Sequence, residues 1–472
     1  MRMYAAGQWI DTEKKIDVLS PYDGTVVDSV PCADLGDVEN AMESAVRGAR
    51  TMAALPGYDR YRILRAAADL IEARSEEFAR TITLEEGKSL AESRFEVSRA
   101  VQTMTLSAEE AKRLHGETIP FDGAPGAAGK FGFTLRVPCG IVVAISPFNF
   151  PLNLVCHKVG PALAAGNAVV IKPATDTPLS ALKLTEVLLD AGLPADGIAC
   201  LTGLGAEIGD ALCRDRRVRK ITFTGSRDVG ERICQVAGIK KVTMELGGNS
   251  PVIIMPDADL DKVALAVAAT GYSNAGQVCI STQRVLTSDK IYGDFLDALK
   301  PKVAVLTTGN PLDERTKVGP MIREKEAIRV EEWVDEAVAG GAQVVTGGVR
   351  HGAIYAPTVV AEVSPDMRIF RDELFGPVVA VTRFDSIDEA IALANDTIYG
   401  LAAGIFTENL ERAMRFAREV EAGNLMINWG PQWRADLMPY GGLKESGFGK
   451  EGPRYAALDM TELKLVCFHL AS

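Results

Sequence analysis

The sequence predicts an α/β fold on doubly wound parallel sheet, and three observations carry the prediction. Residues 140–145, 167–171, 198–201 and 221–223 are short, continuous apolar runs, the pattern of strands buried on both faces. Helical stretches separate them, and alternation of the two types implies parallel strands joined by crossover helices. The chain has 472 residues, too many for one hydrophobic core, so two or three domains are expected.

The elements follow in order. Residues 58–115 are charged and rich in Ala and Leu. Tyr61, Ile63, Leu64, Ala67, Leu70 and Ile71 mark an apolar stripe, and the spacing predicts long helices. The Gly/Ala-rich piece 123–129 reads as a flexible connection or a hairpin tip. The strand at 140–145 opens the α/β segment, and a helix is expected over 178–191. In such sheets a ligand binds beyond the C-terminal strand ends. A second α/β segment begins near residues 251–254 and runs to about Gly447. Residues 462–468 form an alternating closing strand. That strand and residues 131–135 read as elements that pair with another subunit, because exposed edges are usually covered.

Composition excludes several classes. The net charge of −12 disfavours nucleic acid and anionic lipid as partners. No apolar run reaches the length of a membrane span. Residues 1–4 lack the long apolar core of a signal peptide, so a cytoplasmic location is expected. The eight cysteines contain no C-x-x-C pair and there are four histidines, which argues against a structural zinc or a disulfide framework. Most of these cysteines read as small buried hydrophobes.

Several local patterns then occur in one order. Pro147-Phe148-Asn149-Phe150-Pro151 follows one strand, and Lys172-Pro173-Ala174 follows the next. Phe223-Thr224-Gly225-Ser226 precedes Glu245-Leu246-Gly247-Gly248-Asn249, then Gly276-Gln277-Val278-Cys279. Glu373-Leu374-Phe375-Gly376-Pro377 and the stretch from Pro439 to Gly447 complete the set. In these motifs the sequence resembles the aldehyde dehydrogenase superfamily over nearly its whole length. The resemblance is nearest to the branch containing phosphonoacetaldehyde, sulfolactaldehyde, succinate semialdehyde and lactaldehyde dehydrogenases.

The resemblance implies a Rossmann-type cofactor domain over residues 1–116 and 139–247. It implies an α/β catalytic domain over 248–447 and a small β oligomerisation arm from 117–138 and 448–472. It further implies oxidation of an aldehyde to an acid with NAD or NADP, in a homodimer or homotetramer. Cys279 is the expected nucleophile, since a thiol adds to an aldehyde and can hold the acyl group as a thioester. Glu245, between Met244 and Leu246, is the expected base for hydrolysis if an apolar setting raises its pKa. Its presence argues against acyl transfer to coenzyme A. Asn149 is the expected oxyanion donor, with the main-chain N–H of Cys279.

Cofactor contacts are expected from Ile145, Ser146, Phe148, Lys172, Thr175, Gly225, Ser226, Leu246, Glu373 and Phe375. The turn at 225–230 lacks G-x-G-x-x-G spacing and is by itself a weak phosphate signal. Thr175 stands where NAD-preferring relatives often carry a glutamate. A carboxylate there would repel a 2′-phosphate, so NADP is expected to be accepted. Arg99, His157 and Arg434 sit where the phosphonate-oxidising group carries substrate residues, and arginine suits an anionic tail. The same residues admit a plainer reading, with Arg99 paired to a neighbour such as Glu96. Val278, where that group has arginine, departs from its pattern. Val278 and Ile280 suggest a narrow mouth for a short aldehyde. Arg284 reads as structural. The alternatives are a neutral-aldehyde or lactaldehyde dehydrogenase, or a silent binding protein on the same fold, which would be expected to lack Cys279 or Glu245.

Overall fold

A computed structural model describes residues 1–470. The apolar runs read from the sequence are its central strands. Ala168–Lys172, Ile141–Ile145, Val218–Thr224 and Lys241–Glu245 lie side by side and parallel. Ile198–Cys200 continues the sheet in parallel, and Met3–Ala5 and Gln8–Ile10 extend it antiparallel. Register aligns the strand ends. Ile145 pairs with both Lys172 and Phe223, and Thr224 pairs with Glu245. Three candidate positions, Ile145, Lys172 and Glu245, therefore share one edge of one sheet.

A second, seven-stranded sheet holds Thr358–Ala361, Val378–Phe384, Thr282–Ser288, Ser250–Ile254, Ala402–Phe406 and Asn424–Ile427 in parallel, with Gln343–Thr346 antiparallel at one edge. Ser250 pairs with Thr282, so residues 246–249 and 276–281 both enter this sheet at its N-terminal edge. Glu245 leaves the first sheet and Cys279 approaches the second across this short gap.

The helical region divides into Gly57–Ala73, Ser75–Glu86 and Leu90–Ala111. The expected helix at 178–191 is Leu179–Asp190. The helix Asn153–Ala164 is buried along its whole length, yet carries His157 and Lys158. Five of the eight cysteines are buried, whereas Cys234 and Cys467 are exposed.

Two features differ from the sequence reading. Thr461–His469 pairs antiparallel with Lys130–Pro138 of its own chain over its full length, so the closing strand finds its first partner internally. Thr118–Ile119 covers the other side of Lys130–Pro138, leaving Thr461–His469 at the edge of this three-stranded sheet. Residues 447–460, most of them expected in the arm, return to the first sheet instead. Gly447–Phe448 pairs with Met244 and Glu245, and the helix Pro453–Asp459 packs on Asn153–Ala164 and Leu90–Ala111. No helix among the described residues is long and apolar enough to cross a membrane.

Candidate active site

Beyond the C-terminal edge of the first sheet lies a groove of about 590 Å³ lined by Ile145, Lys172, Gly205, Val229 and Arg232, among others. The helix Arg227–Ala237 begins at this groove, and its N-cap Ser226 makes no side-chain cap bond. Its first N–H groups remain available to an anion. Gly225 makes room there: a Cβ would lie 2.5 Å from the tip of the Phe223 ring, which would have to shift. Gly230 likewise lets the helix close onto Leu246.

Burial brings Lys172 down to about 8. Its ammonium donates to the Pro173 carbonyl at 2.9 Å and to Thr175 Oγ1 at 3.4 Å; neither acceptor is a carboxylate. The Ser146 hydroxyl is buried without a partner. Nearer the second sheet, Phe148 and Phe375 meet edge to face at 6.1 Å, and Phe375 holds a left-handed φ of 49°. Glu373 accepts from the Gly248 N–H at 2.8 Å, and burial raises it to about 7. An open helix N-terminus, an orphaned hydroxyl, a buried lysine and two facing rings fit a dinucleotide running along this edge.

Cys279 follows an unusual turn. Asn274, Ala275 and Gly276 all have positive φ, 51°, 51° and 70°, a conformation that L side chains resist. Anchors hold it. Glu92 accepts from the Asn274 N–H and the Ser273 hydroxyl, each at 2.8 Å, and Glu86 accepts from the Asn274 amide at 2.8 Å. A Cβ on Gly276 would lie 2.0 Å from the Gly376 carbonyl oxygen, so only glycine permits the approach. The Cys279 sulfur is partly exposed to a cavity of about 440 Å³. It lies 3.1 Å from the Tyr440 hydroxyl. Burial pushes the thiol up to about 12. The main-chain N–H of Cys279 has no hydrogen-bond partner among the described residues.

Asn149 uses one amide N–H on the Gln277 carbonyl at 2.8 Å, leaving the other. Its main-chain carbonyl accepts from Lys88 at 2.7 Å and from Asn274 at 3.2 Å. Lys88 in turn pairs with Glu96 at 2.5 Å, and Glu96 accepts the N–H groups of Leu152 and Asn153 at 3.0 Å each. One buried ion pair thus fixes both ends of the Asn149 loop.

Glu245 is 2% exposed, and among the described residues neither carboxyl oxygen has a partner. Burial, reinforced by neighbouring Glu451, raises it well above the ordinary carboxylate range.

Arg99 and Arg434 line the same cavity as Cys279, with Val278 and Ile280; Phe95, Trp429 and Trp433 add aromatic surface. Arg99 donates from Nε and Nη2 to Asp436 at 3.2 and 2.7 Å, not to Glu96. Arg434 pairs with Glu451 at 3.1 Å, and its Nε is buried without a partner. Expected beside the substrate, His157 does not line the cavity. It is 1% exposed and lies 2.8 Å from Asp436 and 3.2 Å from Arg434. Burial, with Arg434 beside it, lowers His157 to about 4, so the ring is neutral near pH 7. Nε2–H then donates to Asp436, and His157 supports the arginines from behind. The helix Asn153–Ala164 is enclosed throughout, and no residue of its middle turn reaches solvent.

Sequence reasoning missed Asp436, Glu451 and Lys158. Lys158 pairs with Glu451 at 2.9 Å. A charged residue in an otherwise apolar helix was the available signal for Lys158. Asp436, two residues after Arg434, carried none until the fold placed it 2.7 Å from Arg99. Arg284 is fully buried and donates to the carbonyls of Asn249, Leu393 and Ala394 at 2.9–3.1 Å, which is a scaffold role.

The fold and this site define an enzyme class, and residues 9–466 match the model of the aldehyde dehydrogenase family. The chain belongs to that family. It is 50% identical over 468 residues to 3-sulfolactaldehyde dehydrogenase of Priestia aryabhattai, covering 99% of this chain and 98% of that one. Among solved structures it is similar to aldehyde dehydrogenase 21 from Physcomitrella patens in complex with the reaction product succinate. That likeness has a TM-score of 0.96 and 40% identity, covering 99% and 98% of the two chains. It is also similar to the NADP-dependent glyceraldehyde-3-phosphate dehydrogenase of Bacillus halodurans C-125 complexed with NADP, at TM-score 0.98 and 36% identity, covering 100% and 99%. The protein is an NAD(P)-dependent aldehyde dehydrogenase.

Proposed function

We propose that the protein oxidises a short aldehyde with an anionic tail, of the sulfolactaldehyde, phosphonoacetaldehyde or succinate semialdehyde type, to the carboxylic acid. The observation that carries this reading is that the Arg99 and Arg434 side chains both line the cavity onto which Cys279 opens, so two cations border the space an aldehyde must occupy. Among the described residues, Arg99 Nη1 makes no hydrogen bond, while Nε and Nη2 bind Asp436. Their carboxylate partners keep both guanidiniums in place, and the free N–H groups suit carboxylate or sulfonate oxygens. The names of the relatives, one acting on a sulfonated aldehyde and one holding succinate, agree with this choice.

In this reading the Cys279 sulfur adds to the aldehyde carbon, and the oxyanion accepts from the free Asn149 N–H and the Cys279 main chain. When bound, the dinucleotide would supply the hydride acceptor that thioester formation requires, and Phe148, Glu373 and Phe375 would hold its nicotinamide end. Glu245, once deprotonated, takes a proton from the water that hydrolyses the thioester, so the enzyme is non-acylating. Ile145, Ser146, Phe148, Lys172, Thr175, Gly225, Ser226, Leu246, Glu373 and Phe375 hold the dinucleotide. Lys172, with Thr175 beside it rather than a carboxylate, admits NADP. Residues 1–116 and 139–247 form the cofactor-binding part, joined by residues 447–460, and the catalytic part begins at 248. Exposed Phe131, Leu135, Leu463, Leu465 and Phe468 on the arm support assembly as a homodimer or homotetramer. The direct test follows reduced-cofactor absorbance with a panel of charged and neutral aldehydes of two to four carbons. A clear preference for anionic members is expected; equal rates with propanal would overturn the substrate assignment.

A further inference from the structure

The Cys279 sulfur has one side-chain neighbour that no step above employs. The Tyr440 hydroxyl lies 3.1 Å from Sγ, and among the described residues it has no other hydrogen-bond partner. The ring cannot drift. Tyr440 is 3% exposed. Its N–H donates to the Glu451 carbonyl at 3.1 Å, and it accepts from the Glu451 N–H at 2.7 Å. The Arg434 guanidinium stacks over its face, 3.8 Å from the ring centre.

We propose that the Tyr440 hydroxyl is a catalytic hydrogen-bond donor that holds the Cys279 sulfur as the attacking anion and aims it into the cavity. Chemistry fixes the direction of the bond. An unperturbed thiol is more acidic than a phenol, so when the pair loses one proton the charge rests on sulfur and the phenol keeps its hydrogen. The other groups acting on the sulfur are mixed. Glu373 and Glu245 oppose the anion when ionised, and Arg434 favours it. Arg434 stacked on the ring also favours a more polarised O–H. Phenylalanine at 440 would fill the same wall and give no donor. The stack has a second consequence: the arginine proposed to grip the tail touches the residue that activates the nucleophile.

The inference rests on Cys279 being the nucleophile, and its test separates the two ideas. Full-length protein, wild type and Tyr440→Phe, is alkylated with iodoacetamide across the neutral to alkaline range, and the Cys279 peptide is followed by mass spectrometry. Tyr440→Phe is expected to move the alkylation midpoint up by about one pH unit and to slow the reaction at neutral pH about tenfold. Replacing Tyr440 with 3-fluorotyrosine keeps the shape and strengthens the donor, so the midpoint moves down. Coincident midpoints, or a loss equal at every pH, overturn the role of Tyr440 while leaving the nucleophile intact. An active Cys279→Ala enzyme removes the nucleophile assignment itself, and the tyrosine with it.

Discussion

Glu245 and Glu451 are both 2% exposed, act on each other electrostatically, and sit in opposite charge states. Glu245 has no hydrogen-bond partner and is held protonated by burial. Burial would raise Glu451 as well, but Lys158 and Arg434 outweigh it and keep that carboxylate ionised, well below its ordinary range. The contrast extends to their surroundings. At the reaction centre, Cys279 and Glu245 are both pushed towards the neutral form. Along the adjoining wall, Arg99, Asp436, Arg434, Glu451 and Lys158 interlock as paired charges. Groups that must change protonation in a cycle are desolvated and, among the described residues, left without an ion-pair partner. Groups that must present a constant charge are desolvated and paired, which is the arrangement that makes a buried ion tolerable.

The predictions attack this contrast. The largest effect belongs to Cys279→Ala, which should lower turnover by at least about four orders of magnitude while calorimetry still shows cofactor binding. Next is Glu245→Gln, expected to slow steady turnover roughly 100- to 10,000-fold and to leave a rapid burst of reduced cofactor in a stopped-flow trace. Because burial raises Glu245, the base form accumulates only as pH rises. Wild-type deacylation should therefore quicken with pH beyond the ordinary carboxylate range, and this dependence should vanish in Glu245→Gln.

On the charged wall, Arg99→Ala should raise KM for an anionic aldehyde about ten- to a hundredfold and leave propanal nearly unchanged. Asp436 keeps its bonds from His157 and Asn153 in that variant, so the wall should hold. Equal losses on both substrates would make Arg99 a scaffold residue. A smaller effect is expected at the cofactor: Thr175→Glu should shift preference towards NAD roughly tenfold, from repulsion screened by solvent. Smaller still, Lys172 loses charge as pH rises through about 8. The ratio of KM for NADP to KM for NAD should then climb above that pH, and a flat ratio would remove Lys172 from 2′-phosphate binding.

Local sequence was enough for the central strands, whose apolar runs reappear as Ile141–Ile145, Ala168–Lys172 and Val218–Thr224. Cys279 and Glu245 were singled out by the family resemblance that the ordered motifs carry. Pairings between distant segments were not legible. Asp436 reaches Arg99 across 337 residues, and Tyr440 reaches Cys279 across 161. No periodicity encodes such contacts. The same limit explains His157, whose candidacy rested on the resemblance while the enclosure of its helix was not legible. The internal pairing of Thr461–His469 was missed for a related reason: alternation identifies a strand and leaves its partner open.

The central claim is that one cavity joins the neutral reaction centre to a cationic wall that holds the substrate's tail. A crystal structure of Cys279→Ala with NADP and a three-carbon sulfonated aldehyde tests it most directly. The expected result is sulfonate oxygens at about 3 Å from an Arg434 N–H and an Arg99 N–H, with the aldehyde carbon facing residue 279. A tail directed out past Trp429 and Trp433, with both guanidiniums bound only to Asp436 and Glu451, would contradict it.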